Sequence, residues 1–118
     1  MILADTSVWV DHFRRGNARL ADLLQSGEIL CHSFVVGELA CGNLRSRRTT
    51  LSLLRSLPGA TAATDSEAQA FIDARRLMGR GLGYVDVHLL ASASLEGAGL
   101  WTLDRRLARA ARELGLEG

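Results

Sequence analysis

Short apolar runs alternate along this chain with stretches in which apolar residues recur every three or four positions. The runs mark strands and the longer spacing marks amphipathic helices. Ile2–Asp5 reads as a strand, Val8–Arg14 as a helix, and Ala18–Gln25 as a second helix that Gly27 closes. A strand near Ile29–His32 follows, then helices over Phe34–Leu44 and Thr50–Leu57. The single proline, Pro58, makes with Gly59 the clearest break, and no linker or low-complexity tract flanks it. Beyond the break, the small residues Ala60–Thr64 form a strand candidate. The segment Asp65–Gly81 opens on a capping box, with Asp65 or Ser66 ahead of Glu67 and Gln69, and ends on Gly79 and Gly81. Tyr84–Gly99 reads as helix, Leu100–Leu103 as strand, and Asp104–Gly115 as a final helix. This alternation predicts an α/β architecture in which helices cover both faces of a short, mostly parallel sheet. In such folds ligands gather where strands finish and helices begin.

At 118 residues and 47% hydrophobic composition, the chain is expected to form one domain over 1–118. No apolar stretch nears the roughly 20 residues of a membrane helix, and the N-terminus lacks a signal peptide's basic flank, so a soluble, cytoplasmic protein is expected. Cys31 and Cys41 form no CxxC motif and read as two small buried hydrophobes. Charge is more informative. The net charge is only +1, yet there is no lysine, and all 14 basic residues are arginine. P-loop enzymes and Schiff-base enzymes both need a lysine, so both classes are excluded. Arginine suits bidentate contact with phosphate or carboxylate. The clusters Arg14–Arg15, Arg45–Arg48, Arg75–Arg76 and Arg105, Arg106, Arg109 and Arg112 are therefore either solvated helix faces or contacts for a polyanion or acidic partner.

Four acids sit where caps and polar faces explain them incompletely. Asp5 ends the first apolar run, with Thr6 and Ser7 behind it able to orient its carboxylate. Glu38 interrupts the apolar stripe of its helix, where an unpaired carboxylate would cost several kcal/mol, so a cation or hydrogen-bond donors should lie near it. Asp86 lies in the first turn of its helix on the face of Leu89, Leu90 and Ala93, while His88 points elsewhere as a satisfied structural histidine. Asp104 opens the last helix, with the Thr102 hydroxyl two residues before it. Two strand-end acids and two on apolar helix faces are expected to converge. Two carboxylates about 5 Å apart repel by roughly 3 kcal/mol at an effective dielectric of 20, so four need protons or a divalent cation among them. With oxygen donors and no zinc-type spacing, Mg²⁺ or Mn²⁺ is the natural guest, and hydrolysis of a nucleic-acid phosphodiester the fitting chemistry.

The ordered set "LADTSVW", "VVGEL", "YVDVHLLASA" and "LWTLDRRL" resembles the PIN-domain family, specifically the VapC-type ribonuclease toxins of VapBC toxin–antitoxin pairs. The resemblance spans Ile2 to about Leu114. It implies a three-layer α/β/α fold, a Mg²⁺- or Mn²⁺-dependent endoribonuclease, homodimers, and inhibition by a cognate VapB-type antitoxin whose tail enters the active-site groove. By that resemblance Asp5, Glu38, Asp86 and Asp104 are the catalytic, metal-binding acids, with Thr6 and Thr102 as supporting hydroxyls. Transfer or ribosomal RNA is the implied substrate class. Arg105, Arg109 and Arg112 share one face of the last helix and are candidate RNA contacts. Trp9 and Phe13, one turn apart, read as core, with base stacking or a partner surface as the other use. Leu107 replaces the aromatic residue many relatives carry, and only Leu-Glu-Gly follows Gly115, which predicts a short or frayed final edge strand. A haloacid-dehalogenase-like phosphatase would need an aspartate at Ser7, and a response-regulator receiver would need a lysine. The alternative is a PIN-like domain that only binds RNA or protein, its acids serving as caps and ion pairs.

Overall fold

A computed structural model describes residues 1–118. Its elements run β1 (Ile2–Ala4), α1 (Thr6–Arg15), α2 (Ala18–Gln25), β2 (Ile29–Leu30), α3 (Ser33–Ala40), α4 (Arg47–Ser56), α5 (Asp65–Arg75), α6 (Tyr84–Glu96), β3 (Gly99–Trp101) and α7 (Arg105–Glu113). The strands lie in the order β2-β1-β3, all parallel, with Leu3 opposite Leu30 on one side and Leu100 on the other. Leu3 and Ala4 are successive residues of the central strand, so they face opposite sides of the sheet. Both are fully buried. Helices therefore cover both faces, which is the three-layer arrangement expected. No helix is long and apolar enough to cross a membrane.

The core is one continuous cluster in which strand residues Leu3, Ile29 and Leu100 meet Leu20, Val35, Leu90 and Leu107 from the helices. Leu107 is buried, so its departure from an aromatic side chain changes core packing and leaves the acids untouched. After α7 the chain returns to the sheet edge, where the Leu100 N–H donates to Leu116 O and the Gly118 N–H to Leu100 O. This single bridge is the short last strand. Its backbone passes so close to β3 that a Cβ on Gly99 would stand 2.7 Å from Gly118 Cα.

Several boundaries differ from the sequence reading for local reasons. Helix α1 starts at Thr6 because Asp5 itself is the N-cap. Helix α3 stops at Ala40, four residues early, since Gly42 and Asn43 open a link whose Ser46 adopts a left-handed φ of 47°. The Arg47 side chain seals the end of α3 by donating to the Ala40 carbonyl at 2.6 Å. Ala60–Thr64 is no strand. One bridge joins Cys31 to Gly59, after which the Thr61 N–H turns to the Glu96 carboxylate. The capping box of α5 is Thr64 with Glu67, one residue ahead of the pair expected, and the helix ends at Arg75, with Arg76 as its left-handed C-cap before either glycine. Gly79 and Gly81, both at positive φ, shape the loop that leads into α6.

Candidate functional site

Asp5 and Asp104 stand at the carboxyl ends of neighbouring strands because the Asp5 N–H still donates to the Trp101 carbonyl, extending the β1–β3 ladder by one bond. The Asp5 side chain is buried, and three donors fix its plane. These are the Thr6 N–H at 2.6 Å, the Ser7 hydroxyl at 2.9 Å and the Thr102 hydroxyl at 2.6 Å. Thr102 also accepts the Asp104 N–H at 3.0 Å, and Ser7 accepts the Leu103 N–H at 2.9 Å. Each hydroxyl thus gives its proton to Asp5 while its lone pair holds the backbone after β3. One small network ties both strand-end acids together. Asp104 accepts in turn from the N–H groups of Arg106 and Leu107, as the N-cap of α7.

Glu38 and Asp86 arrive from helices. Glu38 is exposed on α3, so it interrupts no buried stripe as its sequence neighbours implied, and it faces the donor expected for it. That donor is the Thr6 hydroxyl, at 2.6 Å from Oε1. Thr6 therefore serves Glu38 with its side chain and Asp5 with its backbone. Asp86 is half-buried in the first turn of α6 and accepts the Gly83 N–H at 2.9 Å. Burial pushes its carboxyl above the ordinary aspartate range, the Gly83 N–H opposes that, and the charges of Asp5, Asp104 and Glu38 push it further up. The four predicted acids therefore share one electrostatic neighbourhood. No three of them stand close enough together to form a ready metal shell. The three aspartates each hold an oxygen toward a backbone N–H at a helix start, so the capping role and the shared field coexist.

From the Thr6–Glu38 pair a groove of about 800 Å³ runs between α1 and the link from α3 to α4. A helix running on to Leu44, as the spacing predicts, would fill this groove, which opens because α3 ends at Ala40. Trp9 is core, as expected, whereas Phe13 is 41% exposed and lines the groove. On α7, Arg105 is free, while Arg109 and Arg112 pair with Glu113 at 3.2 Å and Glu117 at 2.7 Å. His88 does point away from the acids, into a ring cage of Phe34 and Tyr84, but neither of its buried nitrogens has a hydrogen-bond partner. Its nearest acid oxygen, on Asp65, is 3.5 Å off, so the expectation of a satisfied histidine is corrected. Cys31 is buried as expected, but Cys41 is exposed, because α3 ends just before it.

Comparison with known proteins shows the family. The PIN domain family model matches residues 2–113. Ribonuclease VapC32 of Mycobacterium tuberculosis is 47% identical over 117 residues, covering 98% of this chain and 94% of that protein. Among solved structures, M. tuberculosis VapC20, described as a sarcin-ricin loop cleaving toxin, superposes with a TM-score of 0.67 at 22% identity, covering 93% of this chain and 95% of its own. PAE2754 from Pyrobaculum aerophilum gives 0.66 at 16% identity, covering 92% and 83%. At those identities the two structures speak for the fold, and the near-full-length match to VapC32 speaks for the sequence. The chain belongs to the PIN domain family.

Proposed function

We propose that this chain is a Mg²⁺- or Mn²⁺-dependent endoribonuclease, the toxin of a type II toxin–antitoxin module. On this reading one PIN domain over 1–118 acts in the cytoplasm as a homodimer held in check by a VapB-type antitoxin. The observation that carries it is the hydrogen-bond network in which the Ser7 and Thr102 hydroxyls fix Asp5, Thr102 accepts the Asp104 N–H, and Thr6 links Asp5 to Glu38. The donor set fits a hard divalent cation, since every candidate ligand is a carboxylate oxygen. Asp5, Glu38, Asp86 and Asp104 would hold the ion, which when bound acidifies water and offsets charge building on a phosphodiester.

The rest of the chemistry belongs to the chain's own groups. Ser7, Thr102 and the Thr6 N–H keep Asp5 in one rotamer, so its oxygens need no reorientation when substrate binds. The Thr6 hydroxyl holds Glu38 over the mouth of the site. Helices α1, α6 and α7 all begin here, and their N-terminal dipoles favour the anionic phosphate and carboxylates alike. Arg105, Arg109 and Arg112 lie outside this pocket along α7, where Arg105 is freest to meet the RNA backbone.

The test is cleavage of RNA by purified, antitoxin-free protein with Mg²⁺ or Mn²⁺. EDTA or Asp5→Asn should abolish it, and sequencing the new RNA ends would identify the target. Undiminished cleavage by the Asn variant would remove the mechanism. Firm RNA binding without any cleavage would support the binding-only alternative.

A further inference from the structure

We propose that the groove between α1 and the α3–α4 link is a binding site for single-stranded RNA, seating the nucleotides on one side of the bond that is cut. The proposal rests on the ribonuclease reading, and names where the strand lies. The groove is continuous with the acids, because Thr6 and Glu38 form its inner end. Its α1 wall is a stripe of helical spacing: Thr6, Val10, Phe13 and Arg14. Asn43, Arg45 and Ser46 of the link face it from across.

The lining matches what an unpaired nucleic-acid strand needs. Arg14 and Arg45 are exposed and take part in no ion pair, although adjacent arginines are committed. Arg15 binds Asp11 at 2.6 Å, and Arg47 caps α3. Two free guanidinium groups therefore stand over a groove whose one acid is Glu38, at the catalytic end. Phe13 offers an exposed ring, braced from behind by buried Trp9 at 5.9 Å between centroids. A cationic groove with an aromatic platform is how proteins track single strands, since each base has a face to stack whatever its sequence. Asn43 and Ser46 add polar groups able to meet base edges or sugar hydroxyls. A scissile phosphate seated at the acids must lead its strand away over some surface. Along α7 the charges of Arg109 and Arg112 are met by Glu113 and Glu117, which leaves Arg105 there, whereas the groove sets two free guanidinium groups beside an exposed ring.

The experiment measures binding of a labelled single-stranded RNA in EDTA, and steady-state cleavage of the same RNA with Mn²⁺. Arg14→Gln and Arg45→Gln should each weaken binding about 5- to 10-fold and reduce the slope of log K against log salt by about 0.7, one phosphate contact apiece. KM should rise by a similar factor with kcat within about twofold. Phe13→Leu should weaken binding at least about 5-fold and leave the salt slope unchanged. Arg15→Gln is the control and should alter neither, and Arg45→Lys should restore the slope. Thermal melts confirm that these exposed substitutions leave the fold intact. If wild type cleaves while all three groove variants bind and cleave like it, the groove proposal is overturned and the ribonuclease reading stands. If wild type binds but cuts no RNA while the variants still lose affinity, the reverse holds. Variants that keep RNA affinity but release a co-purifying protein would make the groove a protein-docking surface and end the RNA proposal.

Discussion

Thr102→Val removes one hydroxyl, nearly without changing shape, from the point where the two strand-end acids are joined. Thr102 is 8% exposed and donates to the Asp5 carboxylate at 2.6 Å while accepting the Asp104 N–H at 3.0 Å. A hydrogen bond to a charged group contributes about 1.5–3 kcal/mol, and a stranded, partly buried N–H costs about 1 kcal/mol more. Ser7 still donates to the same Asp5 oxygen and water reaches the exposed Asp104 backbone, so the net loss should fall near the lower end, about 2 kcal/mol. With an unfolding entropy of about 0.25 kcal/mol/K for 118 residues, each kcal/mol moves the melting temperature by about 4 °C. The Val variant should therefore melt about 8 °C below wild type by circular dichroism. It should also cleave RNA about 10- to 100-fold more slowly, because Asp5 loses a restraint on its plane. Thr102→Ser, which keeps the hydroxyl, should restore most of both. A Val variant melting within about 2 °C of wild type and cleaving at full rate would refute the role given to this network.

Asp86→Asn keeps an acceptor for the Gly83 N–H and removes a carboxylate that burial and three neighbouring acids disfavour, so without divalent cation it should melt higher than wild type at neutral pH. The sign follows from a raised carboxyl pKa. The folded wild type holds that proton to higher pH than the unfolded chain does, and its stability is lost as pH rises through the folded pKa. The gain in the Asn variant should thus vanish as pH falls below the ordinary aspartate range, and a pH-independent difference would contradict it. Millimolar Mn²⁺ should raise the melting temperature of wild type and leave Asp86→Asn far less affected. Leu107→Ala, in the core beneath α7, should cost about 2–5 kcal/mol in urea melts. A loss under about 1 kcal/mol would mean that α7 is not anchored there.

The places of the two strand-end acids were legible in the sequence because their setting was. Asp5 and Asp104 each follow an apolar run, and a parallel sheet gathers such strand ends at one edge whatever the intervening length. Helix and strand periods likewise placed β1 and α2 to within one residue, and α6 and the final helix to within three at their ends. What failed was local chemistry decided by single side chains. The Thr6 hydroxyl reaches Glu38 across 32 residues and not its neighbour Asp5, and no spacing rule chooses between them. Thr64, not Asp65, caps α5, because the reciprocal bond with Glu67 needs a three-residue step. The apolar run through Leu44 hid the end of α3, although Gly42–Asn43 was a breaker in plain view. With that link went the groove and the setting of Arg14 and Arg45. An arginine's sequence neighbours do not reveal which acid meets it, and so Arg109 and Arg112 looked as available as Arg105.

The most direct test of the account is anomalous scattering from crystals of the protein grown with Mn²⁺. A peak bound by Asp5 and at least two of Glu38, Asp86 and Asp104, and lost in Asp5→Asn crystals, is the predicted result. Saturating Mn²⁺ with no peak among these carboxylates, or one seated on other residues, would contradict it.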